Sequence, residues 1–189
     1  MAPYSHKEAH QHRIFSAFAP CEQTQTRIAQ AVSRPRPMTF EESLRLDLEM
    51  DEGVVHGVYI DTLGHKTCGI GHLCRPDEPE YNMGVGEEIS SERLNELYEA
   101  DIAQVLEDCK WLFLEWDELP EEVRAVIANM MFNLGLPRLS KFVMLRHAIL
   151  ERDWQMAADE MENSLWHKQL PARSNRLIAR MRAVGGDES

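Results

Sequence analysis

The sequence predicts an α+β fold that is mainly helical, with a small antiparallel β-sheet lobe and a helical lobe joined by a long helix. Three observations support this class. β-Branched and aromatic residues with interspersed glycines are concentrated in residues 54–74, helical signals precede that segment, and helical periodicity fills most of the chain after residue 90. With 189 residues, 43% of them hydrophobic, the chain can bury one proper core.

The first predicted helix begins at a capping box, with Thr39 at the N-cap and Glu42 three residues later. Gly53 is expected to end it directly after Glu52, because glycine readily adopts the backbone conformation that closes a helix. The residues expected to point inward from this helix are Leu44, Leu48 and Met50.

The next predicted element is a hairpin or a small three-stranded sheet. Residues 54–60 are rich in β-formers, residues 62–65 favour a turn, and residues 67–73 resume an extended run. Gly69 and Gly71 are expected to leave one face of that run bare, so that another group can approach its backbone closely.

The chain after this sheet is predicted to be helical to its end. A long helix capped by Ser90 or Ser91 runs to about Cys109, and a buried helix runs from Pro120 to Gly135. Further helices are expected at 140–150, 153–163 and 171–183.

Residues 1–38 are predicted to form a poorly ordered extension, rich in Gln, His, Ala and Arg, before one folded domain at 39–185. The predicted parts of that domain are a sheet lobe at 39–89, a connecting helix at 90–109 and a helical lobe at 110–185. Trp111 and Trp116 are expected to cover the junction of the lobes.

The formal net charge of −12 is unevenly distributed along the chain. Residues 41–120 carry 5 Lys/Arg against 21 Asp/Glu, whereas residues 121–189 carry 10 against 9. This acidity argues against a nucleic-acid partner, because phosphate binding needs clustered cations. No apolar run reaches the roughly 18–20 residues of a membrane span, and the stretch at 14–19 is shorter than a secretory signal core. We therefore expect neither membrane insertion nor a signal peptide.

The four cysteines, Cys21, Cys68, Cys74 and Cys109, form no CxxC pair and show no zinc-site spacing with histidine, so no metal site is predicted. Free thiols are favoured over two disulfides because the chain shows no export signal. Cys68 lies in an apolar strand and is interpreted as a small core residue.

Glu52, Asp61 and Thr67 are the candidate catalytic residues. The predicted hairpin brings Asp61 and Thr67 to one end of the sheet, facing the end of the helix that carries Glu52. Glycoside hydrolysis needs one carboxyl that is protonated and a second that stays ionised, and this trio provides both carboxyls. Taken alone the spacing is a weak signal, since solvated acids and a turn-favouring Asp explain it as well.

The segments around these residues resemble the phage-type lysozymes, glycoside hydrolase family 24. The matching segments are Asp51-Glu52-Gly53, Tyr59-Ile60-Asp61-Thr62, Gly69-Ile70-Gly71-His72-Leu73, Asn129-Met130-Met131-Phe132-Asn133-Leu134-Gly135, and Trp166 with Gln169, Pro171, Arg173, Arg176 and Arg182. The resemblance covers nearly all of residues 43–184, in order. It implies a lysozyme-like fold with the active site between the two lobes.

The resemblance implies a muramidase that cleaves the β-1,4 bond between N-acetylmuramic acid and N-acetylglucosamine in bacterial peptidoglycan, with inversion and without cofactor or metal. Glu52 would be the general acid, Asp61 would position or activate water, and Thr67 would hold that water. The other implied roles are substrate binding by Leu73, Phe132, Asn133 and Arg173, and a structural ion pair of His72 with Asp101. Arg173 would also pair with Glu52.

The chain departs from that family in charge and in part of the helical lobe. Leu145 and Glu160 stand where the family contacts substrate with Ser and Asn, the loop before Ile89 is shorter, and residues 1–38 have no counterpart. The cations Lys168, Arg173, Arg176, Arg180 and Arg182 form either a solvated basic face or a local cationic rim. Because long-range attraction to an anionic wall is screened by salt, we expect weaker salt inhibition than a basic lysozyme shows.

Two other classes remain open at this stage: a catalytically silent peptidoglycan-binding module and an acidic interaction protein of helical type. The sequence favours the enzyme because all three candidate catalytic residues are present. We expect a monomer that is cytoplasmic at synthesis and acts at the bacterial cell wall after release, or outside the cell if its source is an animal. Either antibacterial defence or an endolysin role fits this expectation.

Overall fold

The computed structural model describes residues 36–61 and 64–185, so most of the predicted extension at 1–38 lies outside the described residues. The elements in chain order are α1 (Phe40–Glu52), β1 (Val55–Ile60), β2 (Lys66–Gly69), β3 (His72–Leu73), α2 (Pro79–Asn82), α3 (Ser91–Leu112), a 3₁₀ turn (Trp116–Glu118), α4 (Glu121–Leu134), α5 (Leu136–Leu139), α6 (Val143–Leu150), α7 (Trp154–Glu162), α8 (Leu165–Gln169) and α9 (Pro171–Ala183). The predicted α+β class, mainly helical with a small antiparallel sheet, is confirmed.

Helix α1 begins and ends as predicted. The Thr39 hydroxyl accepts a hydrogen bond from the Glu42 N–H at 3.2 Å, and the Glu42 carboxylate accepts one from the Thr39 N–H at 2.9 Å. Gly53 closes the helix with a φ of 73°. Leu44 and Leu48 are fully buried, but the expectation for Met50 is wrong, since this residue is 63% exposed. Two residues after Leu48, a side chain points about 200° around the helix and therefore away from the core.

The sheet has three antiparallel strands in the order β1-β2-β3. Chain reversal at Gly69 and Gly71, with φ of 61° and 80°, divides the predicted extended run at 67–73 into β2 and β3. Such backbone conformations are easy only for glycine. The expectation of a bare face is wrong for Gly69, where an added Cβ would stand 3.3 Å from Leu94 Cδ2.

Helix α3 begins at its N-cap Ser90 and contributes to two hydrophobic clusters. Its first turns cover the sheet in the smaller cluster, formed by Val58, Cys68, Cys74, Ile89, Leu94 and Leu97. Its later turns, from Tyr98 to Leu112, enter the larger cluster among the helices, where Leu44 and Leu48 of α1 are also buried. One long helix thus belongs to both cores, as predicted.

Helix α4 is the buried central helix predicted from its apolar sequence, with Pro120 as N-cap and Gly135 at its end. Of the two tryptophans expected at the lobe junction, Trp116 is buried but Trp111 is 70% exposed, because α3 turns Cys109 and Leu112 inward instead. Helices α5 and α8 were not anticipated, since four or five residues are too short for a periodic signal. Within the described ranges, no helix is long and apolar enough to cross a membrane.

Candidate active site

Glu52 is the last residue of α1, and helical periodicity determines which way it faces. It lies four residues after buried Leu48, so the two side chains share one side of the helix. Its side chain is 28% exposed, and its Oε1 accepts a hydrogen bond from Arg173 Nη1. Glu52 is therefore reachable from solvent while one of its oxygens is held by a cation.

Arg173, in the first turn of α9, is fixed from two directions. Its side chain is only 7% exposed. Its Nε donates to Asn129 Oδ1 at 2.8 Å, and its Nη2 donates to the Asn129 carbonyl at 3.1 Å. The remaining Nη1 is then aimed at Glu52. A guanidinium bound in this way has little freedom to turn away from the carboxylate.

Asn129 and Asp51 complete this arrangement, and the sequence reasoning gave neither a role. Asn129 is fully buried on α4, and its Nδ2 donates to Asp51 Oδ2 at 2.8 Å. The signal that could have identified Asn129 is a polar amide within an apolar helix, because a buried amide needs hydrogen-bond partners. Its partners are the neighbours of Glu52.

Asp61 follows the last residue of β1 and is held by the loop after it. Its Oδ1 accepts a hydrogen bond from the His65 N–H at 2.8 Å, and its Oδ2 lies 3.5 Å from His65 Nδ1. The side chain is 29% exposed. The adjoining residues 62 and 63 lie outside the described residues. Asp61 is a partly solvated carboxylate with a fixed orientation.

Thr67 lies in a row of three residues across the sheet. It is directly opposite Tyr59 on β1 and Leu73 on β3, and residues that are opposite in a sheet share one face. Thr67 is buried and its hydroxyl donates to the His65 carbonyl at 3.2 Å, whereas Leu73 is 51% exposed. The predicted residues 67 and 73 therefore lie on the same side of the sheet.

Tyr59 is influenced by the charges of both candidate carboxylates and was missed as a site residue. Burial raises the pKa of Tyr59, and the negative charges of Glu52 and Asp61 raise it further. The phenol is thus within electrostatic range of both acids. Residues two apart on a strand point to the same face. The position of Tyr59 two residues before Asp61 could therefore have indicated that Tyr59 belongs to the site.

A cleft of about 510 Å³ adjoins Glu52. Its lining residues are Met50, Asp51, Glu52, Asn133, Gln169, Leu170, Pro171, Ala172, Arg173 and Arg176. Asn133 accepts a hydrogen bond at its Oδ1 from Trp166 Nε1 at 2.9 Å, which fixes its amide. Phe132, also predicted to line the cleft, is partly buried against the larger core. The structure thus brings Asn133 and Arg173 to Glu52.

A second cavity, of about 640 Å³, lies in the helical lobe and shares Gln169 with the cleft. Its lining includes Leu145 and Glu160, the two departures from the family pattern, together with Arg138 and Lys141. Bound substrate that continues from the cleft past Gln169 would meet these side chains.

His72 and Asp101 are adjacent, with Nδ1 and Oδ2 2.8 Å apart. Sequence reasoning missed Glu78, whose Oε2 lies 2.9 Å from His72 Nε2. Burial of the ring acts to lower the pKa of His72, but its hydrogen bonds to Asp101 and Glu78 outweigh burial and raise it. For Glu78, burial is likewise outweighed by the bonds from Arg75 N–H and His72, so the pKa of this carboxyl is lowered. The imidazole joins α3 to the loop after β3.

Lys168, one of the five cations predicted to form a solvated basic face or a cationic rim, is exposed. The other four, the arginines near the end of the chain, form neither of these. Each is paired with carboxylates: Arg173 with Glu52 and Asp51, Arg176 with Asp47 and Asp51, Arg180 with Asp47 and Glu122, and Arg182 with Asp159 and Glu162. Acidic side chains of α1, α4 and α7 reach the arginines of α9 and neutralise their charge.

Among the described residues, no cluster of three or more His, Cys, Asp or Glu side chains could hold a metal ion. Cys68, Cys74 and Cys109 are free and buried, and Cys68 is fully enclosed in the smaller core. Cys21 lies outside the described residues.

Comparison with known proteins gives consistent similarities. A family model described as phage lysozyme matches residues 49–183. "Probable T4-type lysozyme 2" of Dictyostelium discoideum is 33% identical over 156 residues, which cover 72% of this chain and 92% of that protein. "Probable T4-type lysozyme 1" of the same organism is 32% identical over 157 residues, with the same coverage. The pre-baseplate central spike protein Gp5 of Enterobacteria phage T4 is 31% identical over 149 residues, or 69% of this chain and 26% of the spike protein.

Proposed function

The chain belongs to the phage lysozyme family and is a glycoside hydrolase, and on this premise we propose that it cleaves the β-1,4 bond between N-acetylmuramic acid and N-acetylglucosamine with Glu52 as general acid. The observation that carries the proposal is the geometry at Glu52: a partly exposed carboxyl beside a cleft, held by an arginine that Asn129 fixes.

The proposed role of Glu52 is to donate its proton to the oxygen of the departing sugar. This step leaves a carboxylate, and Arg173 is in place to stabilise the new negative charge. Because Asn129 holds the guanidinium in advance, little reorganisation is needed when the charge develops. Arg173 thus favours the product of the proton transfer.

Asp61 and Thr67 are proposed to manage the attacking water. Asp61 is held by His65 and partly solvated, which suits an ionised carboxylate that accepts a proton from water. The Thr67 hydroxyl donates to the His65 carbonyl, so its oxygen lone pairs remain available to accept a hydrogen bond from the same water. Attack from the face opposite the departing sugar inverts the anomeric carbon.

The first test replaces Glu52 by Gln, which keeps the shape and removes the acid. We expect hydrolysis of purified peptidoglycan to fall by about 10²–10⁴-fold, the usual contribution of a positioned general acid. Glu49→Gln is the matched control, since Glu49 lies on the same helix and, among the residues that the structure describes, its carboxylate forms an ion pair with Arg45 alone. Substantial activity in a folded Glu52→Gln protein would exclude Glu52 as the acid and with it this mechanism.

The second test is stereochemical. Proton NMR of the reducing ends released in the first minutes distinguishes the α-anomer, expected from inversion, from the β-anomer of a retaining enzyme. An initial β-anomer would overturn the roles given to Asp61 and Thr67 while leaving Glu52 as the acid. Mass spectrometry of the same products identifies which glycosidic bond was cut.

The proposed setting is the bacterial cell wall, reached after release from the cell that makes the protein, with either antibacterial defence or an endolysin role. A monomer without cofactor is sufficient for the proposed chemistry, because acid, base and orienting groups all belong to one chain.

A further inference from the structure

The cavity of about 640 Å³ in the helical lobe adjoins the cleft beside Glu52. Gln169 lines both spaces. Asn133 lines the cleft, and the next residue of α4, Leu134, lines the cavity. Trp166, which also lines the cavity, donates its Nε1–H to Asn133 Oδ1 at 2.9 Å. A group attached to a molecule bound beside Glu52 is therefore within reach of the cavity.

The cavity has the size and the partly apolar lining of a ligand site. Its volume falls in the range of about 300–1,000 Å³ that is common for such sites. Leu145 and Trp166 are buried in its wall, and Leu134 and Phe142 are partly buried against the larger core. Ligand sites combine an apolar wall of this kind with a few polar groups that determine which ligand binds.

Three ionisable side chains supply polar groups here, and none of them has a partner within residues 36–61 and 64–185. Arg138 lies in α5, and Lys141 follows three residues later. The Lys141 N–H donates to the Arg138 carbonyl at 3.1 Å, so the two cations start from neighbouring points of the backbone. Glu160 lies on α7 and is partly buried. The cavity thus offers two cations and one carboxylate to a ligand.

The lack of a partner for Glu160 differs from the state of its neighbours on α7. Asp159 and Glu162 both accept hydrogen bonds from Arg182 of α9. Glu160 lines the cavity instead, because successive residues of a helix point about 100° apart. Unpaired charges in a cavity favour a ligand that carries the complementary charges.

Peptidoglycan carries such a ligand close to the bond that is cut. The proposed reaction occurs at the anomeric carbon of N-acetylmuramic acid, and the stem peptide is attached to the lactyl group of the same sugar. A stem peptide has free carboxylates and, where it is not cross-linked, the free amino group of its diamino acid. Both kinds of charge have a counterpart among the unpaired side chains of the cavity.

We propose that Arg138, Lys141 and Glu160 make cleavage depend on the charges of the stem peptide. Arg138 and Lys141 bind a stem carboxylate, and Glu160 binds the amino group of the diamino acid. This specificity rests on the proposed cleavage of peptidoglycan beside Glu52. Its consequence is that stems with amidated carboxylates or with an acylated amino group are poorer substrates than unmodified stems.

The test uses soluble, uncross-linked glycan strands that carry stem peptides, in three forms. One form is untreated, one is acetylated at its amino groups with acetic anhydride, and one is amidated at its carboxylates with carbodiimide and ammonia. Each modification should lower the kcat/KM of the wild type by about 2–5-fold, the effect of one solvent-accessible ion pair. Acetylation should have no effect on Glu160→Gln, and amidation should have none on Arg138→Gln/Lys141→Gln. Each variant should keep the wild-type response to the other modification.

Lys168→Gln is the matched control for the loss of a cation. Lys168 is exposed in the same lobe and is likewise unpaired within the described ranges, but it lines neither the cavity nor the cleft. This variant should respond to both modifications as the wild type does. An altered response in Lys168→Gln would show that the net charge of the lobe, rather than the cavity, makes the distinction, and would overturn the inference.

Two other outcomes would also overturn it. A modification that lowers kcat/KM equally in the wild type and in its matching variant acts through added bulk, and a modification without effect on the wild type shows that the cavity does not recognise that charge. Calorimetry of the same strands with Glu52→Gln measures binding without hydrolysis, so the two proposals fail separately. Charge-selective binding by a protein that cleaves no glycan would refute the proposed function alone, whereas cleavage without charge selectivity would refute only the role of the cavity.

Discussion

Replacement of His72 by Ala should destabilise the protein in a manner that depends on pH. The ring is 5% exposed and lies 2.8 Å from Asp101 and 2.9 Å from Glu78, so the variant removes the buried cation between these two partly buried carboxylates and leaves only Arg75 near them. Removal of one partner of such a group costs about 3–5 kcal/mol. Each kcal/mol shifts the melting temperature of a domain of this size by roughly 2–4 °C, so a decrease of about 10 °C is expected.

The pH dependence follows from the two shifted groups. The pKa of His72 is raised, so its contribution is fully present below its ordinary value of 6.5 and is lost as pH rises through the higher folded value. The pKa of Glu78 is lowered, so its contribution is present above its ordinary value of 4.5 and is lost as pH falls through the folded value. His72 and Glu78 together stabilise the fold most between these two ordinary values.

Urea unfolding of the wild type and His72→Ala at about pH 5.5 and about pH 9 measures this effect. A neutral imidazole has one N–H for two carboxylates, so the difference between the proteins should fall to about half at the higher pH. His147→Ala is the control, because the His147 side chain is 58% exposed and should show no such trend. A difference that is equal at both pH values, or larger at the higher one, would refute the reasoning.

Three further predictions concern the core, the thiols and salt. Leu48→Ala should lower the free energy of unfolding by about 2–5 kcal/mol, measured in urea, because this fully buried side chain packs in the larger core. In a Cys21→Ser protein, Ellman's reagent should find no reactive thiol before denaturation and three after it. The reason is that burial raises the pKa of Cys68 to about 12 and also raises the pKa values of Cys74 and Cys109. Wall lysis should decline less steeply with salt, over roughly 0.05–0.3 M, than that of a basic lysozyme assayed beside it, and an equally steep decline would contradict this expectation.

The local sequence carried the information for most elements. The capping box at Thr39 and the glycine at 53 determine where α1 begins and ends, because their hydrogen bonds and backbone angles involve only neighbouring residues. Gly69 and Gly71 were recognised as unusual, but the bare face expected at Gly69 is wrong and the turn that both glycines form was not predicted, since a glycine in a strand-like run signals either a bare face or a turn. Only the pairing of β2 with β3 decides between these two.

Some residues of the candidate site could likewise be identified from the sequence, and others could not. Position in the chain was enough to select Glu52, Asp61 and Thr67, because a helix end and a hairpin have predictable geometry and the surrounding segments resemble a known family. It was not enough to find Asn129 or Glu78, which become significant only through what they touch. The sequence does not show which partner a buried amide or a loop carboxylate contacts in the folded protein.

The sequence by itself thus determined the class of fold, the order of its longer helices and its strands, and the candidate residues for the reaction. The tertiary structure alone decided which charges meet. Arg173 and Glu52 are 121 residues apart in the chain, and Arg180 and Asp47 are 133 apart. Local hydrogen bonding and periodicity extend over a few residues, so they say nothing about ion pairs that form only when the fold brings the side chains of α9 to those of α1.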